Sequence, residues 1–163
     1  MKRLCLSCVL FSGLLLCPLA FASGIVNGTV SLTMPDGQVC PAGYIRVLLV
    51  RSMIPVSSLT GLKAMNPHQQ KEAIRDLHMK FFIAVREKMS DPAYVVQSAL
   101  TTSEGVFQFT GAPAGSYYIV VTFPAMVRDR KVAWQIPVTV DDDQTIRVDL
   151  NGQNLLMPTY SRN

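Results

Sequence analysis

Two turns and two aromatic strands follow one another without a break over Thr102–Tyr118. Val106–Thr110 alternates, so Phe107 and Phe109 share a face. Pro113 and Gly115 then reverse the chain, and Ser116–Phe123 sets Tyr117, Ile119, Val121 and Phe123 on one side. Strands this short, each with one apolar face and a tight turn between them, bury those faces by stacking two sheets.

The same alternation recurs along the chain. Gly24–Met34 places Val26, Val30, Leu32 and Met34 opposite Asn27, Thr29, Ser31 and Thr33. Asp36-Gly37 marks a turn. Tyr44–Arg51 is apolar on nearly both faces, as a central strand is, and Tyr94–Thr101 is a weaker strand signal. Val132–Val140 points Val132, Trp134, Ile136, Val138 and Val140 one way. Pro137 cannot donate a ladder hydrogen bond, so this stretch is expected at a sheet edge or a bulge. Thr145–Leu150 repeats the pattern with Ile146, Val148 and Leu150 inward, and Asp141–Gln144 reads as a hairpin turn between these last two strands.

One segment breaks the period. Asn66–Met89 carries Ile74, Leu77, Phe81, Phe82, Val85 and Met89 at helical spacing. Asn66 suits an N-cap, Pro67 the first helical position and Gln69 the capping box. Asp91-Pro92 ends the helix. Its stripe either covers the sandwich or presents Met79, Phe81 and Phe82 to another protein. The expected fold class is mainly β: a seven-stranded antiparallel sandwich with one inserted amphipathic helix at about 66–89.

Residues 1–22 read as a signal peptide. Lys2 and Arg3 precede the apolar run Leu4–Ala20, and Ala20-Phe21-Ala22 supplies small residues for cleavage after Ala22. Cys17 follows Leu14-Leu15-Leu16, which does not suit a lipid-modified cysteine. Residues 23–163 then form one domain, long enough to bury a core without staples. The whole chain has 15 Lys+Arg against 11 Asp+Glu, net +4, and loss of Lys2 and Arg3 reduces this to +2. Such a balance does not demand a nucleic-acid partner. The membrane is met only through the cleaved segment. Of the four cysteines, Cys40 alone remains, so no internal disulfide is possible; it reads as a small buried side chain, with an intermolecular bridge or reactive thiol as the alternatives.

Catalytic and metal chemistry are thinly represented. His68 and His78 both fall on the helix, roughly 80° apart around its axis and about 15 Å along it, too far to share one ion. No thiolate pair is available for zinc. Asp141-Asp142-Asp143 lacks the spacing of a calcium loop and reads as an acidic turn. Arg128, Arg130 and Lys131 read as a solvated basic loop, with an anionic partner as the alternative. Asn27-Gly28-Thr29 matches a glycosylation sequon, though a strand is a poor place for one. Catalytic residues, cofactors and metals are therefore expected to be none.

Three pieces carry a family resemblance. Gly24-Ile25-Val26-Asn27-Gly28-Thr29-Val30 resembles the opening strand of the carboxypeptidase regulatory-like family, within the prealbumin-like (transthyretin-like) sandwiches. Thr102-Ser103-Glu104-Gly105-Val106-Phe107-Gln108-Phe109 resembles its "T-x-x-G-x-F-x-F" turn and strand, and Gly111–Tyr118 its "P-x-G-x-Y" turn and strand. The likeness implies a prealbumin-like sandwich in which Gly105 takes positive φ, and a domain without catalytic residues of its own. Related hydroxyisourate hydrolases begin with a histidine-containing motif and end in Tyr-Arg-Gly-Ser. This chain has neither, ending Thr159-Tyr160-Ser161-Arg162-Asn163, which disfavours a hydrolase.

The function expected is a non-catalytic binding or scaffold module, periplasmic or extracellular, with an unidentified protein partner. Met79, Phe81, Phe82 and the strand edge at Pro137 are its expected contact surface. The alternative is a carbohydrate-binding module, which needs exposed aromatic rings; Trp134, the one tryptophan, points inward by its strand pattern.

Overall fold

The computed structural model describes residues 23–57, 61–122 and 124–161. The signal-peptide reading and Phe123 lie outside them. Strands β1 (Ser23–Thr29), β2 (Ser31–Thr33), β3 (Val39–Pro41) and β4 (Arg46–Val50) precede helix α1 (Pro67–Lys88). After it come β5 (Val95–Leu100), β6 (Val106–Pro113), β7 (Gly115–Val121), β8 (Met126–Val127), β9 (Arg130–Lys131), β10 (Trp134–Val140), β11 (Thr145–Arg147) and β12 (Tyr160–Ser161).

Two sheets form the sandwich, one ordered β11-β1-β6 and the other β10-β7-β4-β5. Their facing sides share one core containing Val26, Val47, Leu49, Phe107, Phe109, Ile119 and Trp134. The Phe107 and Phe109 rings tilt against each other with centroids 5.7 Å apart. Trp134 is wholly buried, and its indole N–H donates to the Asn151 carbonyl at 2.9 Å. Gly105 takes φ 77, as the turn motif requires, and a Cβ there would stand 2.4 Å from the Val30 carbonyl oxygen, so both backbone and space call for glycine. All seven expected strands are present, and β10 is the edge strand that Pro137 demands.

The pairing differs from expectation at one edge. β11 does not form a hairpin with β10; it crosses to the other sheet and runs parallel to β1, pairing Ile25 with Thr145 and Asn27 with Arg147. Asp141–Gln144 is thus an inter-sheet crossover. Glycines on β1 permit it: a Cβ at Gly28 would lie 1.8 Å from the Val148 carbonyl oxygen. The Asp149 carboxylate then clasps the end of β1, accepting hydrogen bonds from the Thr29 N–H and hydroxyl and from Arg147.

Helix α1 starts and stops where its end signals lie. The Asn66 side chain accepts from the Gln69 N–H, the Gln69 side chain accepts from the Asn66 N–H, and Met89 is the C-cap. Leu77, Phe81 and Val85 bury themselves on the outer face of the four-stranded sheet, against Leu48, Val50, Tyr94 and Val120. The helix is a third layer over its own sandwich. β4 is consequently apolar on both sides: Val47 and Leu49 face the inter-sheet core, Leu48 and Val50 the helix.

Candidate functional site

One helix does not roof the whole sheet. Between the C-terminal half of α1 and the sheet lies a cleft of about 560 Å³. Leu48 and Val120, both buried, make its floor, and Phe82, Met89 and Met126 stand half-buried at its sides. Arg46 and Leu48 occupy outward positions of β4, Tyr44 stands in the turn just before it, and Arg46 pairs directly with Leu100 on β5. Tyr44 (77% exposed) and Leu100 (62% exposed) therefore stand together at the mouth.

The mouth is cationic. Arg46 and Arg86 line it, no Asp or Glu does, and neither arginine has an ion-pair partner among the described residues. The Thr122 side chain also lines the cleft, and its hydroxyl oxygen is buried with no hydrogen-bond partner. A bound polar group could satisfy it.

Tyr44 is held in a costly conformation. Its φ is 60, in the left-handed region that a tyrosine rarely adopts. The buried Thr101 enforces it. The Thr101 hydroxyl donates to the Ala42 carbonyl at 2.6 Å and accepts the Ile45 N–H at 2.9 Å, while the Tyr44 N–H donates to the Thr101 carbonyl at 3.2 Å. A strained, exposed aromatic at a cavity mouth is a functional pointer.

A second hollow of about 590 Å³ flanks the N-terminal half of the helix, touching Lys71, Glu72, Arg75, Met79, Lys131 and Tyr160. Its charge is partly spent internally, since Arg75 pairs with Glu72 and Asp76. Beside it His78 is buried, with Nε2 2.9 Å from the Pro158 carbonyl and its ring edge-on to Tyr160 at 5.0 Å. Burial holds its pKa below the ordinary 6.5.

The sequence-expected contact residues do not form one surface. Phe81 is 2% exposed and belongs to the core under the helix, so it cannot be presented to a partner. Met79 is 39% exposed at the second hollow, and Phe82 lines the cleft. Pro137 is exposed on β10, at the sheet edge opposite β5. The basic loop is also not simply solvated. Arg128 donates to the Gln38 side chain, Arg130 to the Thr159 hydroxyl at 3.3 Å, and Lys131 is 8% exposed. His68 is exposed, and Cys40 is buried. Among the described residues, no group of three or more His, Cys, Asp or Glu is placed to hold a metal ion, and no helix is long and apolar enough to cross a membrane.

Tyr44, Arg46, Arg86 and Leu100 escaped the sequence reading. The one available signal was the outward position of Arg46 within an otherwise apolar strand.

No protein-family model and no curated protein sequence matches the chain. Solved structures are similar to it. A candidate carbohydrate binding protein from Pseudomonas aeruginosa is 20% identical, with TM-score 0.43 over 80% of this chain and 89% of that one. A minor pilin of Streptococcus agalactiae is 12% identical, with TM-score 0.47 over 88% of this chain; the chain spans 49% of that pilin. An (S)-allantoin synthase is 15% identical, with TM-score 0.37 over 86% of this chain and 45% of that enzyme. Likenesses at these identities and TM-scores carry no assignment of function.

Proposed function

We propose that this chain is an exported, non-catalytic binding module of the carboxypeptidase regulatory-like kind, holding a partner protein in the cell envelope or outside the cell through the cleft beside α1. The observation that carries the reading is the cleft itself: an apolar floor, two arginines without an ion-pair partner among the described residues, and an exposed tyrosine in a strained backbone. Tyrosine and arginine are the side chains enriched where protein interfaces concentrate their energy. His68 and His78 support no hydrolytic pairing, since one is exposed and the other is buried against Pro158.

A photo-crosslinking residue at Tyr44, in the chain expressed in its native host, tests this. Protein adducts are expected from position 44 and not from Asp142, which is exposed and does not line the cleft. Absence of any protein adduct from 44 overturns the reading. Export with cleavage after Ala22 gives a mature chain whose measured mass begins at Ser23.

A second reading, carbohydrate binding, is favoured by one observation: the exposed Tyr44 ring offers a stacking face. Trp134 offers none, because it is buried and its N–H is engaged. Retention on polysaccharide columns that disappears in Tyr44→Ala would favour the sugar over the protein.

A further inference from the structure

Resting on the binding-module reading, we propose that the cleft recognises an acidic protein segment carrying one bulky apolar anchor: the anchor fills the space above Leu48 and Val120, and flanking carboxylates meet Arg46 and Arg86.

Charge complementarity selects this occupant. The cleft has two guanidiniums and no carboxylate along its lining, so its field attracts anions and repels a basic segment. Arg75, by contrast, is paired with Glu72 and Asp76, and Arg147 with Asp149. The two at the cleft lack such a partner among the described residues. A guanidinium fork suits a carboxylate in two parallel hydrogen bonds. Between the arginines the surface is apolar, and a volume of about 560 Å³ admits a large side chain with part of its neighbours. The apolar surface also continues outside the hollow, over the exposed Tyr44 and Leu100. A chain running across the mouth covers that extension, whereas a small ligand seated inside leaves it wet.

The test is selection of random linear peptides displayed against the purified exported chain. The expected consensus is Asp or Glu flanking a Phe, Leu or Trp. The best peptide should lose about tenfold or more in affinity on Arg46→Glu with Arg86→Glu, and should weaken with added salt. Both arginines project from the surface, so the double variant is expected to unfold at the wild-type denaturant concentration; Arg46→Gln with Arg86→Gln repeats the comparison without charge reversal. A basic or uncharged consensus, no enrichment, or a consensus indifferent to both arginine variants overturns the proposal. So does dodecanoate binding with the same arginine dependence in the absence of peptide enrichment, which assigns the cleft to an apolar acid. In all these cases protein adducts from position 44 still report on the binding-module reading separately.

Discussion

The two apolar layers of this molecule are built to different standards. Between the sheets, Trp134, Phe107, Phe109 and Ile119 are 0–2% exposed, and the one indole N–H is paired. Under the helix, His78 is buried, the Tyr94 hydroxyl is buried without a partner, and Phe82 and Met89 stay half-exposed around an open cleft. Geometry explains the contrast. A three-stranded sheet covers most of the inner face of the four-stranded one. A helix about 10–12 Å across cannot cover four strands spaced about 4.8 Å apart, wherever it lies. The leftover sheet face is the cleft. The inter-sheet layer is closed, and the helix layer leaves part of its sheet face open.

If that contrast is right, truncations in the two layers differ in size and kind. Trp134→Ala should cost about 4 kcal/mol, a large share of the roughly 5–15 kcal/mol that holds an ordinary domain together. Leu77→Ala, in the helix layer, should cost about 2 kcal/mol, because the cleft beside the helix lets neighbouring side chains relax into the gap. Urea unfolding followed by circular dichroism reads both. Equal losses would mean that the helix layer is as tightly packed as the inter-sheet core.

What was legible in the sequence follows the range of the forces involved. Asn66, Pro67 and Gln69 cap a helix by contacts within three residues, so its start could be read to the residue. Alternation is equally local, and it located all seven main strands. Pairing is not local. Nothing within Thr145–Leu150 says that it joins β1 in parallel rather than β10; that choice depends on the missing side chains of distant glycines, Gly28 above all. The short strands β3, β8, β9 and β12 are two or three residues long and hold no period to detect. The cleft draws on Tyr44, Arg46, Phe82, Arg86, Leu100 and Val120, which only the folded sheet brings together. Phe81 shows the limit of a stripe: helical spacing marks it apolar, but whether it faces the core or a partner is decided by the sheet below.

The helix layer should also be the pH-sensitive one. Burial, opposed by the hydrogen bond to Pro158, holds His78 below its ordinary 6.5 in the folded state. The unfolded chain therefore binds the proton first as pH falls. Stability contributed by the neutral ring is complete above pH 6.5, declines as pH drops through the interval down to the folded value, and then levels off. Asp149 acts in the same direction but lower, because its hydrogen bonds to Thr29 and Arg147 hold it below 3.8. Urea midpoints measured from pH 7.5 downwards should show the first decline in the wild type. His78→Gln, which keeps an N–H for the Pro158 carbonyl, should lack it. An unchanged decline in that variant would assign the sensitivity to another group.

The smallest expected effect is the most discriminating, because it has opposite signs in stability and in binding. Tyr44 sits at φ 60, held there by Thr101, with its ring 77% exposed. A left-handed backbone costs an L-residue about 1–2 kcal/mol, while the added freedom of glycine in the unfolded chain returns about 0.5–1. Tyr44→Gly should accordingly stabilise the protein by about 0.5 kcal/mol, since an exposed ring contributes little burial. It should at the same time weaken capture of the partner, because the ring at the mouth is gone. Urea unfolding and peptide titration on the same sample measure the two. A variant that gains stability and binds as before would leave the strain at Tyr44 without a use, and the helix-side cleft would then be an incidental gap beneath a helix too narrow for its sheet.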